Sequence, residues 1–83
     1  MQIDIYTVDY CPYCHKALKF LNSRGVEYNH HDITANETEM RKELGQKYNI
    51  QGDVTVPQII VDGKRLGGYT DMIALADQNA LPF

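Results

Sequence analysis

Between Ile3 and Pro12 the chain passes from a strand pattern to a helix start, and this hand-over restricts its fold more than any other feature. Ile3-Asp4-Ile5-Tyr6-Thr7-Val8 is rich in β-branched and aromatic residues and alternates in part, which predicts a strand. Pro12 has no N–H to leave unpaired and a fixed φ, so it suits the first position of a helix. Ala17, Leu18, Phe20 and Leu21 give that helix an apolar side, and Gly25 suits its end. Val26 to Ile33 reads as a second strand. A strand, a crossover helix and a second strand form a parallel pair with a right-handed connection.

The rest of the chain continues this alternation. Asn36 is placed to cap a second helix, with Glu39 at the capping-box position and Met40, Leu44 and Tyr48 along one face. Thr55 to Val61 reads as a third strand preceded by a turn. Asp62-Gly63 is a hairpin signal, so Lys64-Arg65-Leu66 predicts a short antiparallel edge strand. Gly67-Gly68 breaks it, and Thr70 is placed to cap a last helix carrying Ile73, Leu75 and Ala76. The order β-α-β-α-β-β-α predicts an α/β fold, a four-stranded mixed sheet flanked by three helices. With 83 residues the chain has room for one domain, 1–83, and a thin core.

Composition removes several function classes. The chain is 43% hydrophobic, which suits a globular protein rather than a disordered one. Its net charge of -3 comes from interspersed acids and bases, with no basic block to track nucleic acid. No apolar run approaches a membrane span, and Met1-Gln2-Ile3-Asp4 does not open a secretory signal. The expectation is a soluble, cytoplasmic monomer. Its two cysteines, Cys11 and Cys14, would close only a tiny loop, so stapling is a poor explanation for them.

Cys11-Pro12-Tyr13-Cys14 falls where the strand meets the helix. The thiolate is the reactive form of cysteine. Unpaired N–H groups and the positive end of the helix dipole stabilise an anion at a helix N-terminus. Cys11 sits at or before the first helical residue and gains that stabilisation. Cys14 lies one turn later, more buried and less ionised. These positions assign Cys11 as the attacking nucleophile and Cys14 as the resolving thiol. A zinc site would need two further ligands from His15, His30 and His31. His15 follows Cys14 on the helix, and His30 and His31 point to opposite faces of a strand, so no metal is expected.

Cys11-Pro12-Tyr13-Cys14, Thr55-Val56-Pro57 and Gly67-Gly68-Tyr69-Thr70-Asp71 resemble, in order and spacing, the dithiol members of the glutaredoxin family. The resemblance covers essentially the whole chain. It implies a thioredoxin-like fold, with glutathione as co-substrate and electron donor. The implied substrates are protein disulfides and glutathionylated proteins, ribonucleotide reductase among them. It implies a cis bond between Val56 and Pro57, which brings the Val56 backbone beside Cys11 to pair with a substrate like an added strand. It further implies a glutathione site made by Tyr13, Thr55, Val56, Pro57, Gly68, Thr70 and Asp71. There the N–H groups of the last helix suit a carboxylate, Asp71 suits an ammonium, and Gly68 allows close approach.

Two positions depart from the family pattern. A basic residue is common three positions before the first cysteine and again shortly before the Thr-Val-Pro turn; here Val8 and Asp53 occupy those stretches. Asp9 adds a further acid near Cys11. Weaker glutathione binding follows as an expectation, with Lys16, Arg41 and Lys47 as cations that can compensate. Tyr69 stands where a small residue or cysteine is common. Two other functions fit the same thiols: a glutaredoxin-like electron donor reduced by thioredoxin reductase, and an iron–sulfur cluster carrier. Pro12, rigid and beside the nucleophile, argues against the carrier. A pure binding module leaves the thiol pair without a role.

Overall fold

The computed structural model describes residues 1–83. Strand β1 (Ile3–Thr7) leads into helix α1 (Pro12–Ser23), and β2 (Asn29–Asp32) follows. A 3-10 turn (Thr34–Asn36) runs into α2 (Glu37–Lys47), then come β3 (Gln58–Val61), β4 (Lys64–Gly67) and α3 (Tyr69–Asp77). The sheet order is β2-β1-β3-β4, with β1 parallel to β2 and antiparallel to β3. The predicted element order and mixed sheet are those observed, and the architecture is the thioredoxin-like fold of glutaredoxins.

The strand alternation decides where the core lies. Ile3, Ile5, Ile59 and Val61 point to one face and pack with Ala17 and Leu21 of α1 and Met72 of α3. Burying side chains of this size stabilises by about 1.5–3 kcal/mol each. On the opposite face Ile60 is buried, and Leu44 is the buried residue of α2. Met40 and Tyr48, half-buried, share the Leu44 side of that helix.

Several boundaries differ from the sequence reading. Strand β2 is four residues rather than Val26 to Ile33, because the register with β1 begins at Asp4 opposite Asn29. Ile33 still gives its N–H to the Thr7 carbonyl at 2.8 Å. Strand β3 starts at Gln58, since Pro57 has no N–H to donate to a ladder. Asn36 occupies the cap position of α2, but its side chain caps nothing. The preceding 3-10 turn feeds the helix directly, and Thr34 is tied by its N–H and hydroxyl to Asp32. Thr70 is the second residue of α3 and not its cap. Gly68 holds that position, and its N–H donates to the Asp71 carboxylate at 2.9 Å.

Gly67 makes that closure possible. Its φ is +125, a conformation L side chains rarely adopt, and a Cβ there would lie 2.4 Å from Oδ2 of Asp71. Ile59 pairs with Gly67 while Ile60 pairs with Arg65, which leaves Leu66 in a bulge immediately before the glycine pair.

Candidate active site

Cys11 is the N-cap of α1, in an extended conformation, with Pro12 as the first helical residue. Its Sγ accepts the N–H of Cys14 at 3.1 Å, and its thiol donates to the Val56 carbonyl at 3.6 Å. The sulfur therefore stands between a helix N-terminus and a backbone carbonyl on the far side of a cleft. Cys14 is fully buried, and both thiols are free. Burial pushes the Cys14 thiol up to about 12, and its interaction with Cys11 acts in the same direction. One thiol is thus presented and the other held back in protonated form.

The Val56–Pro57 bond is cis, as expected, and the Val56 N–H has no partner inside the chain. An extended peptide laid across Cys11 can pair with that N–H. Beside it runs a groove of about 320 Å³ lined by Tyr13, Thr55, Val56, Pro57, Gly68, Thr70 and Asp71, and also by Arg65 and Tyr69. All seven residues named from the sequence as the glutathione site therefore share one groove. A larger hollow of about 590 Å³ lies around Met1 and Tyr28, remote from the thiols. The rings of Tyr13 and Tyr69 stand 6.0 Å apart, tilted, so Tyr69 narrows the mouth of the groove.

The departures acquire a physical meaning. Val8 is 1% exposed and packs into the core at the end of β1. Asp53 lies in a separate hollow with Arg41 and Lys42. Of the three candidate compensating cations, Arg41 is the one placed behind the thiols. It donates to the Val54 carbonyl at 2.6 Å and pairs with Glu37 at 3.2 Å, and its charge opposes the upward push on Cys14. Lys16 sits 5.2 Å from the centre of the Tyr13 ring. Lys47 sits over Tyr48, on the α2 end of the opposite face.

The three histidines do not converge on the cysteines. His30 bonds Thr7 Oγ1 at 2.6 Å, while His31 bonds Asp4 at 2.8 Å and stacks on Tyr6. Burial raises the Asp4 carboxyl, but hydrogen bonds from His31, Gln2 and Asn29 outweigh it and hold the group below its usual range. His15 is exposed on α1, and no cluster of three metal-ligating side chains forms.

Tyr10 and Gln58, which the sequence reading did not single out, add contacts around the site. Tyr10, 63% exposed, donates to the Glu37 carboxylate at 2.6 Å, which raises the phenol above its ordinary range. Asp9 N–H donates to Thr34 at 2.9 Å. Together these bonds fasten the loop before Cys11 to the start of α2. Gln58, buried and polar in an otherwise apolar strand, accepts from Arg65 Nε at 2.9 Å and donates to the Thr55 carbonyl at 2.8 Å. A glutamine opening the run Gln58-Ile59-Ile60-Val61 was the available signal for that link.

A family model for glutaredoxins matches residues 3–66. The chain belongs to the glutaredoxin family. Glutaredoxin 3 of Escherichia coli is 38% identical over 79 residues, which is 95% of this chain and 90% of that protein. Among solved structures, the dithiolic glutaredoxin of Trypanosoma brucei brucei superposes with a TM-score of 0.82 at 30% identity, over 95% of this chain and 80% of that one. The buckwheat glutaredoxin–glutathione complex has the same fold, with a TM-score of 0.83 at 22% identity, over 95% of this chain and 71% of that one. The cysteine pair of this glutaredoxin is of the dithiol type, and membership supports thiol–disulfide oxidoreductase activity. No helix is long and apolar enough to cross a membrane.

Proposed function

We propose that this glutaredoxin is a glutathione-dependent reductase of protein disulfides and glutathione mixed disulfides, with Cys11 as nucleophile and Cys14 as resolving thiol. The Cys11 thiolate attacks one sulfur of the substrate disulfide. The other sulfur leaves as a thiolate and takes up a proton. Cys14 then loses its proton and attacks Cys11 Sγ, which forms the intramolecular disulfide and releases the second substrate thiol. Two glutathione molecules reverse that disulfide and depart as oxidised glutathione. A glutathionylated protein needs only the first exchange, with Cys11 taking the glutathione.

The observation that carries this reading is the continuity of one groove from the Val56 backbone beside Cys11 to the N-terminus of α3. In this reading glutathione pairs with Val56, and its γ-glutamyl carboxylate meets the first N–H groups of α3. Its ammonium meets Asp71. The buckwheat protein of the same fold was solved with glutathione bound. The test is turnover of a small glutathione mixed disulfide with glutathione and glutathione reductase, run beside thioredoxin reductase alone. Activity with glutathione supports the proposal. Activity only with thioredoxin reductase overturns the donor and leaves the thiol chemistry in place.

A further inference from the structure

We infer that Arg65 is a specificity-determining residue that reads a carboxylate on the molecule held in the groove. The inference deepens the proposed function and rests on the groove assigned there. Arg65 lies opposite Ile60 on β4 and is one of the residues lining the groove, with Thr55, Gly68 and Thr70. Its Nε is spent on Gln58 Oε1 at 2.9 Å. Gln58 is 1% exposed and fixed by its own bond to the Thr55 carbonyl, so the anchor is rigid.

The rest of the fork is free. The ion pairs of the chain are His31–Asp4 and Arg41–Glu37, and neither involves Arg65. Asp71 is the only acid lining the groove, and its carboxylate is engaged by the Gly68 N–H. A lining residue of the groove thus carries a guanidinium that is anchored at Nε, has no acidic partner and belongs to the strand leading into a helix N-terminus. A planar fork with one arm immobilised loses little further freedom on binding and matches a carboxylate in two directions. The carboxylate has two sources: the γ-glutamyl end of glutathione, or an acidic side chain next to the reacting cysteine of a protein substrate.

The experiment compares wild type, Arg65→Gln and Lys64→Gln in two arms. Lys64 carries the same charge on the adjacent position but does not line the groove. In the first arm, pre-reduced enzyme meets disulfide peptides whose cysteine is flanked by Asp or by Asn, in a single turnover that needs no electron donor. In the second, the Cys11–Cys14 disulfide is reduced by glutathione, γ-glutamylcysteine or cysteinylglycine. Arg65→Gln is expected to slow a carboxylate-bearing reactant about three- to tenfold, between an exposed ion pair and a charge-assisted hydrogen bond. A loss confined to Asp-flanked peptides assigns the carboxylate to protein substrates. A loss for glutathione and γ-glutamylcysteine, spared with cysteinylglycine, assigns it to the donor. Equal loss for every reactant, no loss for any, or the same selective loss in Lys64→Gln overturns the inference. If glutathione fails to reduce the wild-type disulfide, the proposed donor fails, while the peptide arm still decides the role of Arg65.

Discussion

The sharpest consequence of the thiol geometry concerns Cys14 once its partner is removed. Cys11→Ser deletes the exposed sulfur and leaves a single thiol that is fully buried at the end of the first turn of α1. In the native site burial is the largest cause raising that thiol from 9.0 to about 12, and burial survives the substitution. At pH 8 a thiol near 9 is about one-tenth ionised and one near 12 about one part in ten thousand, a difference of about a thousandfold in thiolate. The Cys11 contribution disappears in the variant, so a slowing of about a hundredfold is the expected minimum. The assay is iodoacetamide alkylation followed by mass spectrometry, with the same variant unfolded in urea as reference. Shielding alone also slows alkylation, so the pH profile is the deciding readout. A raised thiol gives a rate that climbs tenfold per pH unit past pH 10. A plateau near pH 9 in the folded variant would refute the reasoning, as would alkylation within tenfold of the unfolded rate.

Three further outcomes follow from the same site. Cys11→Ser is expected to abolish all turnover, whereas Cys14→Ser keeps reduction of glutathione mixed disulfides and loses reduction of protein disulfides; coupled assays with each substrate check this, and a Cys14→Ser protein inactive in both contradicts the roles assigned. Gly67→Ala places a Cβ 2.4 Å from Asp71 Oδ2 at φ +125. It should destabilise the fold by at least about 1–3 kcal/mol in urea unfolding and raise the KM for glutathione. The third outcome is a pH effect. A thiol raised in the native state stays protonated when the unfolded thiol has ionised, so stability falls as pH rises. The Cys14 contribution is fully present below pH 9.0 and is lost between there and about 12. The reduced protein should therefore lose more stability over that window than Cys14→Ser does, measured by denaturant titration at each pH.

Much of this molecule is legible in its residues because each element carries its own signal. Pro12 starts α1 and Asp62-Gly63 turns the chain between β3 and β4, as local chemistry dictates. The groove was readable because three short motifs fix it. What was not readable is what depends on register. Thr70 has the chemistry of a cap, but the bulge at Leu66 and the turn at Gly67 advance the helix start to Gly68. Met72, the fully buried residue of α3, was passed over for Ile73 and Leu75 because the helix phase depends on that start. Val8 carries no mark that separates a buried position from an exposed one at the end of a strand. Arg65 looked like an ordinary edge-strand cation because its anchor, Gln58, is on another strand and meets it only across the ladder.

The strand order has a consequence for how such a small sheet avoids unwanted company. Its two free margins are β2, Asn29-His30-His31-Asp32, and β4, which opens with Lys64 and Arg65. Each is four residues long and carries polar or charged side chains, features that discourage another chain from adding itself there. A visiting extended peptide is turned away at both margins, while Val56 offers an unpaired N–H on a loop outside the sheet. An unpaired stretch of backbone thus lies beside the Cys11 sulfur and away from the sheet margins.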